Sequence, residues 1–438
     1  MSEAALAGTA AVPERVPSKS EAEVVIVGGG LVGLSLGIAL AGSGAETVVL
    51  DRADPARLTA APYDGRSSAI ARGSAQVLEG LGIWAKLQAG AQPILDIRVS
   101  DGRVGRGAAP FFLHYAQADL ESDSAGPLGY IVENRLTRQA LYARAAELPK
   151  LTLLAPAAVA ELNRGPAQVE ARLEGGQTIR AQVVVAADGR NSVLRREAGI
   201  KTTAWDYPQC GIVATIHHDR PHHGVAHEHF LPAGPFAMLP MVDAPGESPE
   251  AGAHRSSLVW TERRELVPAM MRLSDADFSA ELQRRFGTSL GALREVGGRW
   301  SYPLSLMLAE RIVERRLALI GDAAHVIHPI AGQGLNLGLR DVAALAETLI
   351  DARRLGLDLG GAEVLAGYPR WRRFDNLALV AVTDGLNRLF SNDLGPLRLA
   401  RDLGLAAVNQ VPPLKRLFMR HAMGLVGDLP RLVKGEAL

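Results

Sequence analysis

One cysteine, Cys210, stands among 438 residues. A single thiol excludes an intramolecular disulfide framework and any multi-cysteine zinc or iron-sulfur site. No activating motif lies beside it, so Cys210 reads as a small buried apolar residue. Net charge is missing too: 47 Lys and Arg balance 47 Asp and Glu, which argues for neither a nucleic acid nor an acidic partner. There is no HExxH motif and no internal repeat. Residues 1 to about 22 lack the basic start and apolar run of a signal peptide; rich in Ala, Pro, Glu and Ser, they read as a disordered tail. A cytoplasmic location is the resulting default. Val24 to Ala45 carries no charge and is long enough to cross a bilayer. Its Gly28 to Gly30 run and β-rich entry fit a buried strand-helix unit better, so no transmembrane helix is expected.

What is present centres on VVIVGGGLVGLSLGIALAGSGAETVVLDR, Val24 to Arg52. An apolar strand turns on Gly28, Gly30 and Gly33, continues as a helix and returns in the strand Thr47 to Asp51, the pattern of a dinucleotide-binding βαβ unit. Gly28 permits the tight turn, Gly30 admits a pyrophosphate to the backbone, and Gly33 lets helix and strand pack closely. The helix N-terminus favours phosphate. Asp51, at the second strand end, can accept hydrogen bonds from ribose hydroxyls.

Beyond this unit a helix is expected around Ser74 to Leu81, a strand over Ile94 to Ser100 closed by a turn at Asp101-Gly102, and an irregular region to Gly126. That region, with Phe111, Phe112 and Tyr115, reads as a substrate-side cover or as plain surface loop. Leu128 to Val132 and Leu151 to Leu154 read as strands, Asn134 to Leu148 as a helix, and Val169 to Ala187 as a hairpin about Gly175-Gly176. The hairpin runs into a second glycine turn at Ala187-Asp188-Gly189. From Lys201 to about Trp300 alternating residues and aromatics predict an antiparallel sheet, interrupted by a helix capped at Ser274 and stopped at Gly287. A strand over Arg316 to Ile320 then delivers GDAAHVIHPIAGQGLNLGLRD, Gly321 to Asp341.

Three glycine-marked strand ends, near 28, 188 and 321, are too many for a simple nicotinamide dehydrogenase, and one long dinucleotide, FAD, explains them together. Its ADP half would lie at Gly28 to Asp51 and its flavin half at the Gly321 turn, with Asp322 on a ribityl hydroxyl. The Gly332 to Asn336 helix start would face the flavin's pyrimidine edge and stabilise negative charge on it when reduced.

GGGLVG, the ADG turn, and GDAAH followed by HPIAGQGLNLGLRD resemble the single-component FAD-dependent aromatic hydroxylases of the p-hydroxybenzoate hydroxylase type, and within them the ubiquinone-biosynthesis hydroxylases acting on polyprenyl phenols. DGRSSAIARGSAQVLEGLGIW, YIVENRLTRQAL and FLPAGPFAMLPM extend the resemblance, which covers roughly Val24 to Arg401. The implied fold is α/β: a Rossmann-like FAD-binding domain over 23–90, 127–200 and 301–370, an inserted, mostly antiparallel β-sheet substrate domain over 91–126 and 201–300, and a helical C-terminal region over 371–438. Cofactor contacts are expected from Gly28, Gly30, Gly33, Asp51, Arg52, Arg66, Arg135, Asp188, Asp322, Gly334 and Asn336. Asp51 departs from the glutamate common in relatives, but serves the same ribose. The implied activity is hydroxylation of a polyprenyl phenol with O2 through a flavin C4a-hydroperoxide, in a dry pocket whose candidates are Phe236, Met238, Leu239 and Met241 with Pro329 and Gly332 beside the flavin. No second GxGxxG unit exists for NAD(P)H, so NAD(P)H binds transiently or an external carrier supplies electrons. A prenyl-chain reductase, a hydroxylase of another aromatic substrate and a non-catalytic flavoprotein scaffold remain alternatives; a halogenase does not fit, because WxWxIP is absent.

Six histidines fall between His217 and His229, and His227 and His229 would share a strand face. Without partner ligands in metal-site spacing they suit a sheet or pocket role rather than zinc; one of them could be the phenol's base. His325 and His328 suit packing or hydrogen bonding. The C-terminal segment sets Arg398, Arg401, Lys415, Arg416 and Arg420 beside Leu414, Leu417, Phe418, His421 and Leu425 at helical spacing. Such a helix either packs on the FAD domain or lies on an anionic membrane where a polyprenyl substrate resides. Peripheral contact at the inner membrane face and assembly with other ubiquinone-biosynthesis proteins are the partner expectations.

Overall fold

The computed structural model describes residues 20–60, 65–105, 107–119, 126–243, 254–328, 332–372 and 411–438. Most of the expected tail, and Pro329, Arg398 and Arg401, lie outside these residues.

Val24, Val25 and Ile26 of the strand Val24–Val27 are fully buried, and the strand pairs in parallel with Thr47–Leu50 on one side and Val183–Ala186 on the other. Apolar runs buried on both faces are what a central parallel strand requires. These strands belong to a six-stranded sheet in the order Val313–Glu314, Leu317–Leu319, Val183–Ala186, Val24–Val27, Thr47–Leu50, Leu151–Leu154. Helix Leu31–Gly42 buries Leu34, Leu36, Ile38 and Leu40, apolar on all sides because it lies in the core. Among the described residues no helix is long and apolar enough to cross a membrane.

The long helix Gln333–Arg354 packs against Leu31–Gly42 closely enough that a Cβ on Gly338 would come within 2.5 Å of Val32 Cγ2. Burial of Leu339, Val342, Leu345 and Leu349 fastens it there, each such side chain contributing roughly 1.5–3 kcal/mol. Val32 also meets Gly321: a Cβ there would lie 3.3 Å from Val32 Cγ1. The first and third glycine turns therefore converge on one side chain.

The second large element is an eight-stranded sheet, in the order His325–Val326, Leu293–Ala309, Thr202–His218, His254–Arg263, Gly234–Pro240, Val225–Leu231, Asp96–Arg103, Gly107–Ala116. It is antiparallel apart from the parallel pairing of Val225–Leu231 with Asp96–Arg103. Helix Asp275–Phe286, capped by Ser274 Oγ on Asp277 N, packs Phe278, Leu282 and Phe286 against one face. Two three-stranded sheets complete the fold.

Several expectations change here. The strand expected over Ile94 to Ser100 is two strands in different sheets, since Ala91–Ile94 pairs with Gly129–Glu133 while Asp96–Arg103 joins the large sheet. The break falls at Leu95, whose N–H, like that of Asp96, donates to Gly224 O. Asp101-Gly102 is a bulge within the strand, not a turn. The irregular region contains the strand Gly107–Ala116, which takes its register from Asp96–Arg103. A boundary at 300 cuts the strand Leu293–Ala309, which runs unbroken in the large sheet. The short helix Val267–Met271 was not expected.

Candidate active site

The three glycines of the first turn differ in what surrounds them. Gly28 has φ +110°, and a Cβ on it would lie 2.2 Å from Ala187 O, so the first turn is wedged against the second. A Cβ on Gly33 would lie 1.9 Å from Gly28 O, whereas one on Gly30 would meet nothing within 4 Å. Gly30 is thus the place where a ligand can reach the backbone. It caps helix Leu31–Gly42 without a side-chain hydrogen bond and with no acid in the first turn, which leaves that terminus to an anion. Asp51 is fixed by Gly29 N to Oδ2 at 2.6 Å and Ala53 N to Oδ1 at 2.7 Å. Arg52 is exposed beside it.

At the second turn Asp188 Oδ2 accepts from Val193 N at 2.8 Å, while Oδ1 is buried with no hydrogen-bond partner among the described residues. A buried orphan carboxylate oxygen fits a ligand hydroxyl. Arg195, which the sequence reading passed over, joins the second turn to the third: its Nη1 donates to Ala323 O at 2.8 Å and Nη2 to Arg190 O at 2.9 Å. Burial lowers its pKa, and Asp188 opposes that shift. Its sequence signal was an arginine inside a short helix directly after a glycine turn.

Asp322 is exposed on the turn Gly321–Ala323, yet surrounding protein desolvates the carboxyl and raises its pKa, against the pull of His325 and Arg190. Behind it Asp341 is fully buried. Its Oδ2 accepts from Gly321 N at 2.9 Å and pairs with His325 Nε2 at 2.6 Å, and its Oδ1 accepts from Arg372 Nε at 2.8 Å. Burial alone would push this carboxyl up; His325 and Arg372 reverse that and bring it down to about 2. His328 packs edge-on against Tyr207, ring centroids 5.1 Å apart.

A cavity of about 300 Å³ lies between the start of helix Gln333–Arg354, the strand Ser67–Ala71 and one face of the large sheet. Gly332 caps the helix in a left-handed conformation, φ +62°, and lines the cavity with Gly334, beside which a Cβ would meet nothing within 4 Å. Asn336 lines the cavity as well, and its side chain is engaged within the protein: Oδ1 accepts from Ala71 N at 2.9 Å and Nδ2 donates to Ala69 O at 2.9 Å. It braces the helix start to the neighbouring strand.

The sheet presents Pro235, Ala237, Leu239, Val259, Thr261 and Tyr302 to the cavity. Phe236 and Met238, the expected pocket residues, are absent from its lining. Alternation along the strand turns them to the other face, each 1% exposed, where they pack with Trp260, Phe278 and Leu282. Met241 is buried in the apolar cluster with Met419 and Met423. Tyr115 has its pKa pushed up to about 12, by burial first and then by Glu228; burial likewise raises Tyr302, with exposed Arg66 opposing. Arg135 Nη2 meets Glu133 Oε2 at 3.2 Å, and Glu133 also receives Arg255 at 3.4 Å, so Arg135 belongs to a bridge toward the large sheet.

Helix Pro412–Ala422 contributes Met419, Ala422 and the adjacent Met423 to the cavity wall, and leaves Leu417 53% and Phe418 43% exposed. His227 and His229 do share a strand face, with ring centroids 6.3 Å apart; both rings pack on Phe286. Burial lowers their pKa values to about 3 and about 4, so both are neutral at pH 7. Among the described residues no group of three or more His, Cys, Asp or Glu could hold a metal ion.

An anion-ready helix start, a carboxylate at the second strand end and two further acids at converging turns fit a bound dinucleotide, and residues 21–366 match the family described as FAD binding domain. The fold is that of p-nitrophenol 4-monooxygenase PnpA from Pseudomonas putida DLL-E4, with TM-score 0.74 at 21% identity, covering 93% of this chain and 99% of that one. Ubiquinone hydroxylase UbiL of Rhodospirillum rubrum is 55% identical over 420 residues, 95% of this chain and 94% of that protein. The 3-demethoxyubiquinol 3-hydroxylase of Escherichia coli K12 is 36% identical, covering 92% and 98%, and human mitochondrial ubiquinone biosynthesis monooxygenase COQ6 is 33% identical, covering 91% and 92%. The chain belongs to the family of FAD-dependent ubiquinone-biosynthesis hydroxylases.

Proposed function

We propose that this protein adds a hydroxyl group to the aromatic ring of a polyprenyl phenol, using FAD, O2 and electrons from transiently bound NAD(P)H or an external carrier. The observation that carries this reading is the cavity, largely apolar on the sheet side and opening at the Gly332–Gly334 helix start. Gly28, Gly30 and Gly33 shape the pyrophosphate turn, Asp51 holds the adenosine ribose, and Asp188 and Asp322 take hydroxyls further along the cofactor. FAD held by these residues would, once reduced, activate O2, one atom of which enters the ring while the other leaves as water. The protein's own part is to hold the ring and keep water out: Ala237, Leu239, Val259, Met419 and Met423 form a dry wall. Tyr115 and Tyr302, whose pKa values burial raises further above neutral, would donate hydrogen bonds without adding charge. Residues 23–90, 127–200 and the turn and helix from 310 to 370 make up the FAD-binding unit. The large sheet supplies the substrate side.

The test is purified holoenzyme with reductant, isotopically labelled O2 and a prenyl phenol; one labelled oxygen in the ring is expected. Ala237→Phe, which fills the cavity, should lower turnover at least tenfold while FAD stays bound. Unlabelled product, or full activity with Phe at 237, would sink the reading.

Helix Pro412–Ala422 also supports peripheral contact with an anionic membrane at its inner face, where the other proteins of the pathway would assemble. Leu417 and Phe418 project outward beside exposed Arg420. In flotation with vesicles containing anionic lipid, Leu417→Ser with Phe418→Ser should reduce binding at least tenfold. Equal flotation of variant and parent refutes membrane contact through this helix.

A further inference from the structure

Within the cavity wall Thr261 is anomalous. Its side chain is 1% exposed, yet Oγ1 has no hydrogen-bond partner among the described residues. Buried hydroxyls are nearly always paired, because an unpaired one loses its hydration and gains nothing. The Thr261 methyl occupies the space that a side chain on Gly234 would need, with Cγ2 2.6 Å from where a Cβ would stand, so the hydroxyl occupies the other branch of Cβ. Nearby Gln209 Nε2 is engaged with Ala233 O at 2.7 Å.

Across the sheet Thr261 is registered with Gly211, and Gly211 with Tyr302. The glycine carries no side chain, and the Tyr302 ring lies over it, 3.1 Å from where its Cβ would be. Thr261 and Tyr302 therefore flank a bare position on the face that lines the cavity, two hydroxyl-bearing side chains on a largely apolar sheet surface that also carries Glu228. A valine would pack against Gly234 equally well without an orphan oxygen. A ligand atom is the partner this site lacks.

We propose that Thr261 binds the phenolic oxygen of the substrate ring and thereby orients the ring in the cavity. This rests on the reading of the protein as a phenol hydroxylase. A hydroxyl can both donate to and accept from a phenol, and a buried site built around such a contact discriminates against a ring without the oxygen.

The experiment compares full-length, FAD-loaded parent, Thr261→Val and Thr261→Ser, without reductant, for the dissociation constants of a short-chain prenyl phenol and of the same prenyl benzene lacking the hydroxyl. Thr261→Val should weaken the phenol about tenfold, the worth of one neutral hydrogen bond, and leave the prenyl benzene unchanged. Thr261→Ser should restore phenol binding. With reductant added, Thr261→Val should convert more of the consumed electrons to hydrogen peroxide and fewer to hydroxylated product. The valine variant should melt at or above the parent's temperature, since no protein hydrogen bond is removed; a lower melting temperature assigns the hydroxyl to the fold and overturns the proposal. So does equal weakening of both probes, or of neither. Failure of the parent to hydroxylate any prenyl phenol refutes the underlying function instead, and is read from the labelled-oxygen assay.

Discussion

Gly33→Ala is expected to abolish FAD binding and to destabilise the fold, while Gly30→Ala loses the cofactor and keeps the fold. The two glycines stand three residues apart in one turn, and only their surroundings separate them. A methyl on Gly33 would overlap Gly28 O at 1.9 Å. Gly28 cannot retreat, because it is itself wedged against Ala187 O at the second turn. The strain is at least the upper end of the roughly 1–3 kcal/mol typical of overpacking. Transmitted to the pyrophosphate turn, that is about a hundredfold in affinity. Gly30 has φ −70° and open space around it, so alanine there is conformationally allowed and costs less than about 1 kcal/mol as a cap. Its methyl would instead stand where the pyrophosphate approaches, and FAD affinity should fall tenfold or more. Flavin absorbance retained through gel filtration, with thermal melts of the apoproteins, separates the cases. Retention of FAD by Gly33→Ala would show that the turn relaxes more than its contacts allow.

That turn was legible in the sequence because its constraints are local: a left-handed residue, a close helix-strand contact and a terminal acid each select a residue type at a fixed spacing. The substrate face was less legible. Gly234–Pro240 reads GPFAMLP and is apolar at nearly every position, since one face meets helix Asp275–Phe286 and the other meets the cavity. A strand buried on both faces has no alternation to reveal its parity, and Phe236 and Met238 were placed in the pocket when they belong behind it. Asn336, Arg195 and the strand Gly107–Ala116 share another obscurity. Each acts through partners distant in the chain, as with Ala69 and Ala71 for Asn336 and Ala323 for Arg195, and no local pattern encodes such pairings. Asp341 ends the GDAAH-to-RD motif, and its burial gives that motif a physical reason.

Asp341→Asn should cost about 3–5 kcal/mol of stability at pH 7 and loosen the flavin-side turn. The carboxylate is fully buried and holds Gly321 N, His325 and Arg372 together. Removing its charge takes the Asp341 carboxylate away from the buried Arg372 guanidinium, and removing one side of an internal ion pair is strongly destabilising. The pH dependence follows from the direction of the shift. The folded-state pKa, about 2, lies below the ordinary value of 3.8, so the ionised group contributes stability that is fully present above about pH 4 and lost as pH falls toward 2. Asparagine cannot titrate. The gap between parent and variant should therefore stay constant from pH 7 to about 4 and narrow below that, in urea unfolding followed by fluorescence. Because Asp341 and Arg372 act as a pair, Asp341→Asn with Arg372→Met should cost less than the sum of the two single substitutions. Simple additivity of the two, or a gap under about 1 kcal/mol at pH 7, would show that the network is not what holds the turn. Where it does hold, FAD retention should fall with the stability of Asp341→Asn, since the turn carrying Asp322 hangs from Asp341 through Gly321 N.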